Sequence, residues 1–130
     1  LDSNIVICFI KGKFHKIGEK LEEHERDIVI PSVVLAELEY GARNSSDYEK
    51  TISVYKLFLD LYPTAVFDKK SSVEYGKLRK ILSSNGVIIG PNDMMIAATV
   101  LANNGILITH NVGEFSRVEG LLIEDWAIED

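Results

Sequence analysis

Short β-branched runs set at long intervals, with helical periodicity filling each interval, leave a chain few ways to fold. Three such runs read as buried strands: Asp27 to Ile30, Ala65 to Phe67, and Ile106 to Thr109. A fourth strand is expected to end at Leu1-Asp2, and a weaker one to run from Leu121 to Ile123. Between them, Phe14, Ile17 and Leu21 mark one apolar stripe, and Val34, Leu38 and Gly41 a second, opened by Pro31 at a helix start. Tyr75, Leu78 and Leu82 mark a third stripe, and Ile96, Ala97 and Val100 a fourth. Strands alternating with helices predict an α/β fold whose mainly parallel sheet is covered on both faces.

A chain of 130 residues can bury one core without disulfides, and no repeat or linker divides it. One domain over 1–130 is therefore expected. The numbering opens on Leu1-Asp2 without an initiator Met, so native residues are expected ahead of it. The single cysteine, Cys8, excludes an internal disulfide and a thiolate zinc cage, and cytoplasm is the expected compartment. Twenty Asp and Glu against 14 Lys and Arg argue against gripping nucleic acid by bulk charge. They leave room for acids that hold divalent ions.

The segment Thr51 to Leu61 spreads Ile52, Val54, Tyr55, Leu57, Phe58, Leu59 and Leu61 around most of a helix. Either a partner covers a second face, or the helix is buried within its own domain.

Some acids sit where solvation does not explain them. Asp2 follows the end of the first expected strand, where an open α/β sheet gathers its ligands. It precedes the helical run Ile5 to Ile10 and reads equally well as a cap, as Ser3 and Asn4 do. Glu37 lies on the inward side of the Val34–Leu38–Gly41 stripe, where a carboxylate must be paired, hydrogen-bonded or metal-bound. A salt bridge is the plain alternative; Gly41 one turn later would admit another backbone or a ligand. Asp93, after Gly90-Pro91-Asn92, heads the stripe of Ile96, Ala97 and Val100, or simply favours a helix N-terminus. Asn111 follows the strand Ile106 to Thr109, with Glu114 three residues beyond.

Carboxylates converging on one strand edge repel unless a cation stands between them. Oxygen donors select Mg²⁺ or Mn²⁺ over zinc. His15, His24 and His110 show no metal-ligand spacing. Hard cations held by acids suit phosphodiester hydrolysis, where the metal activates water and stabilises the leaving oxygen.

The strings LDSN, LAELEYG around Glu37, IGPNDMMIAA around Asp93, ILITHNVGEF around Asn111 and the closing LLIEDW stand in an order that resembles a PIN domain. The whole set is similar to the VapC toxins of bacterial type II toxin–antitoxin modules. The resemblance implies a three-layer α/β/α sandwich and a Mg²⁺- or Mn²⁺-dependent endoribonuclease. It also implies a homodimer inhibited by a cognate VapB-like antitoxin. Asp2, Glu37 and Asp93 would be its metal-binding acids. Asn111 falls where many members carry a fourth Asp, and Glu114 stands to compensate, with either residue orienting water. Ser3 replaces the usual Thr and keeps its hydroxyl.

Lys69, Lys70, Lys77, Arg79 and Lys80 flank or decorate one helix, where Arg79 shares a face with Ser72, Gly76 and Ser83. That face could seat a substrate phosphate or simply be solvated. Ser3 and Asn4 are further candidates for touching substrate. Two rivals lack their residues: a receiver-type phosphoacceptor wants an acid pair after the first strand, and a haloacid-dehalogenase-like phosphatase wants Asp-x-Asp where Asn4 stands. A catalytically silent protein-binding module of the same fold is the alternative from another class.

Overall fold

The computed structural model describes residues 1–129. Its helices are α1 (Ser3–Ile10), α2 (His15–Glu23), α3 (Ser32–Arg43), α4 (Tyr48–Leu59), α5 (Lys69–Ser84), α6 (Pro91–Ala102) and α7 (Val112–Phe115). Four short strands are assigned, β1 (Ile30–Pro31), β2 (Thr64–Ala65), β3 (Ile106–Ile108) and β4 (Leu122–Glu124). β1 pairs with β2 and β3 with β4, both in parallel.

The extended Leu1–Asp2 pair closes the gap between these two ladders. Leu1 N donates to the Val29 carbonyl at 3.0 Å, and Asp2 N donates to the Ile108 carbonyl at 2.9 Å. The spatial order is therefore β2, β1, Leu1–Asp2, β3, β4, and it reverses at Asp2. Open α/β sheets place ligands outside the carboxyl ends of their strands at such a reversal.

Right-handed crossovers put α1 to α4 on one face and α5 to α7 on the other. Packing agrees: α1 meets α2 and α3, α3 meets α4, and α5 lies along α6. The two groups touch where α3 approaches α6. Ile5, Val6, Ile17, Val34, Ile96, Ala97, Leu107 and Phe115 fill the interior.

Several expected boundaries move. The Asp27–Ile30 run gives way to a 3₁₀ turn at Glu25–Asp27, and the ladder begins only at Ile30. The Ala65–Phe67 run pairs at Thr64–Ala65, while Phe67 N leaves the ladder and donates to Ser32 Oγ. β-branched residues mark burial, but ladder bonds need a neighbour within reach. Pro31 is the residue before α3 rather than its first residue. The buried α3 stripe is Val34, Leu38 and Ala42. Gly41 faces open space, so no close approach uses it.

On α4 only Phe58 is buried. Leu57 is 76% and, just past the helix, Leu61 is 70% exposed, so this chain does not bury the segment within itself.

Candidate metal centre

Asp2 caps a helix and stands at the sheet's reversal point at once. It precedes α1, and its Oδ1 accepts the Ser3 N–H at 2.8 Å. Its Oδ2 accepts the Thr109 hydroxyl at 2.7 Å from the end of β3. The side chain is buried, which fixes an ionisable group at the sheet's reversal point.

Glu37 leans from α3 toward the same point. Ser3 Oγ donates to Glu37 Oε1 at 3.2 Å, and Asn92 from the first turn of α6 adds a second hydrogen bond. Burial raises its carboxyl above the ordinary range, with the nearby Asp2 charge adding to the effect. No Lys or Arg among the described residues forms an ion pair with it, so the salt-bridge alternative falls away.

Asp93 enters from the first turn of α6, after Gly90 and Pro91 have opened the helix. The site pushes its carboxyl up to about 7, by burial first, then by the hydrogen bond and charge of Glu114 and the charges of Asp2 and Glu37. Glu114 is held low instead, because Gly90 N donates to its Oε1 at 2.7 Å and Asn111 Nδ2 to its Oε2 at 2.8 Å. The two carboxyls are driven in opposite directions because Glu114 owns the better donors.

Asp2, Glu37 and Glu114 thus all act on Asp93 at one edge of the sheet. Asn111 turns its carboxamide to Glu114, donating to Oε2. Ser3 acts on Glu37 rather than standing free, and Asn4 is exposed. Arg79 bonds the Tyr75 hydroxyl at 2.8 Å rather than lying against Ser72 and Gly76. It does border a groove formed with Ser83, Ile88, Pro91 and Met94 that ends at the start of α6. His110 pairs with Asp125.

Asn92, Thr109 and Gly90 were not singled out by sequence as parts of this site. Amides at helix starts and hydroxyls at strand ends are too common to stand out. The only signal was position: Thr109 closes an apolar strand directly ahead of the candidate loop.

Hard oxygen donors with excess negative charge fit a divalent cation of the Mg²⁺ or Mn²⁺ kind. Yet among the described residues no set of three acids already forms a coordination shell. Asp2, Glu37 and Glu114 are held instead by protein donors, and Asp93 by its hydrogen bond with Glu114.

The PIN domain family model matches residues 1–121. The chain belongs to the PIN-domain family. A Rickettsia felis relative, ribonuclease VapC2, is 38% identical over 128 residues, spanning 97% of this chain and 96% of the relative. The tRNA(fMet)-specific endonuclease VapC of Salmonella typhimurium is 33% identical over 126 residues, spanning 97% of this chain and 96% of its own. Among solved structures, DNA-bound VapBC from Salmonella typhimurium superposes with a TM-score of 0.93 at 33% identity, covering 97% of this chain and 96% of that one. These likenesses place the chain among the VapC ribonucleases, with the three-layer α/β sandwich of that family.

Proposed function

We propose that this VapC-family chain is a divalent-metal-dependent endoribonuclease, the toxin of a toxin–antitoxin module. The observation that carries this reading is the convergence of Asp2, Glu37, Asp93 and Glu114 on the sheet's reversal point, with Asp93 driven up to about 7 by its neighbours. A catalytically silent module has no use for that concentration of charge, whose repulsion the fold must offset.

Asp2, Glu37 and Asp93 would hold one or two Mg²⁺ ions, Mn²⁺ being the substitute, with Glu114 as the fourth carboxylate. The metal would activate water and stabilise charge on the scissile phosphate. The chain's own residues prepare that chemistry. Ser3 and Asn92 orient Glu37, Asn111 and Gly90 orient Glu114, and Glu114 in turn is hydrogen-bonded to Asp93. RNA would approach along the groove beside Arg79, which has no acidic partner among the described residues and can meet a phosphate.

The same reading assigns partners. An antitoxin helix would lie in the groove of about 310 Å³ lined by Phe9, Gly18, Leu21, Phe58, Leu61 and Tyr62. Glu22 and Glu25 on its rim favour basic residues in that helix. A second copy would pack on α5, where Val73 and Ile81 stay exposed. No helix among the described residues is long and apolar enough to cross a membrane, which suits the cytoplasm as the place of action.

The deciding experiment is cleavage of RNA with divalent ions removed and returned. Chelation should abolish cleavage, and Mg²⁺ or Mn²⁺ should restore it. Full activity in excess chelator would overturn the metal reading.

A further inference from the structure

We propose that Thr109 is the positioning residue of the acid centre, its buried hydroxyl setting the rotation of the Asp2 carboxylate and tying it to the arm that carries Glu114. The inference rests on the reading of Asp2 as a metal-binding acid.

Thr109 is 0% exposed at the end of β3, and its hydroxyl is used in both directions. It donates to Asp2 Oδ2 at 2.7 Å and accepts the Asn111 N–H at 3.0 Å. A hydroxyl has a single proton, so once that proton is given to Asp2 the oxygen can only accept. The Asn111 N–H supplies the matching donor. The other Asp2 oxygen is taken by the Ser3 N–H at 2.8 Å. Each oxygen of the carboxylate is thus held by a different element, and rotation breaks at least one bond.

The same hydroxyl pins the backbone of Asn111, whose side chain donates to Glu114 Oε2. Glu114 Oε1 in turn takes the Gly90 N–H beside Asp93. Acids from the start and the end of the chain therefore share one buried reference point. Each carboxylate oxygen retains a further lone pair. Outer partners of metal-binding groups change metal affinity by roughly 10–100-fold when removed.

A purely structural Thr109 would act through its volume. Valine would then be tolerated, and serine, which leaves a methyl-sized gap, would be the harmful change. Positioning by the hydroxyl predicts the reverse order.

The test is a Mn²⁺ titration followed by the paramagnetic resonance signal of the free ion, on wild type, Thr109→Ser and Thr109→Val. Folding is checked by circular dichroism. Wild type and Thr109→Ser should take up Mn²⁺ alike, and Thr109→Val at least about tenfold more weakly. Should a methyl against the Asp2 carboxylate unfold the valine variant, Thr109→Ala is read against Thr109→Ser instead. Tight binding by the variant lacking the hydroxyl overturns the inference. So does serine binding as weakly as valine. A wild-type protein that takes up no Mn²⁺ overturns the metal reading and the inference with it, whereas normal wild-type binding with an indifferent Thr109 overturns the inference alone.

Discussion

Asp93 shows how a single carboxyl reports on its surroundings. Its folded value of about 7 lies above the ordinary 3.8, so between these limits the native state holds a proton that the unfolded chain has lost. Stability from this group is complete below the unfolded value and is lost as pH rises through 7. Glu37 is shifted the same way, while Glu114 works oppositely and only at acid pH, where its lowered carboxyl protonates. In chelator, the melting temperature should therefore fall between about pH 5 and pH 7.5. Asp93 is only partly buried, so the drop is smaller than the bare shift implies. Mg²⁺ should reverse it, and more strongly at the higher pH, where the acids are free to bind. A melting temperature that rises over that interval in chelator would contradict the electrostatic account.

The elements explain what could be read in advance and what could not. Asp2, Glu37 and Asp93 were legible because each is an acid placed against an apolar pattern or a strand end, and burial of charge needs a reason. Glu114 was legible only as a neighbour of Asn111, since its value lies in the Gly90 N–H that folding brings to it. The parallel α/β class followed from alternation, but ladder limits did not, because Val29 spends its carbonyl on Leu1 and Phe67 spends its N–H on Ser32. On α3 the buried turn passes through Ala42, not Gly41, a one-residue slip that a stripe of three positions cannot resolve. The apolar excess from Ile52 to Leu61 proved informative: Val54 and Leu57 on α4 and Leu61 beyond it remain exposed, while Phe58 is buried. Leu61→Asp should leave folding nearly unchanged, within about 0.5 kcal/mol, since the side chain is largely in water. It should weaken capture of the antitoxin by about 2 kcal/mol or more if Leu61 anchors that helix. Calorimetry with the product of the neighbouring gene checks both, and unchanged affinity would move the docking site elsewhere.

At the scale of the whole molecule, an acidic chain must bring a polyanion to an edge that gathers Asp2, Glu37, Asp93 and Glu114. A net charge of −6 opposes that approach, so the cation and Arg79 would have to reverse the local field. The proposed RNA cleavage depends on the acid centre holding metal, and Asp93→Asn probes it with least disturbance. The change keeps shape, and Gly90 rather than Asp93 caps α6, so helix structure by circular dichroism should be preserved. The direct measurement is cleavage of labelled RNA by wild type and Asp93→Asn over a Mg²⁺ series, both confirmed folded. The account predicts that the variant loses most cleavage and needs at least about tenfold more Mg²⁺ for what remains, a deficit of 1.4 kcal/mol or more in metal binding. Wild-type cleavage by Asp93→Asn at limiting Mg²⁺ would contradict it.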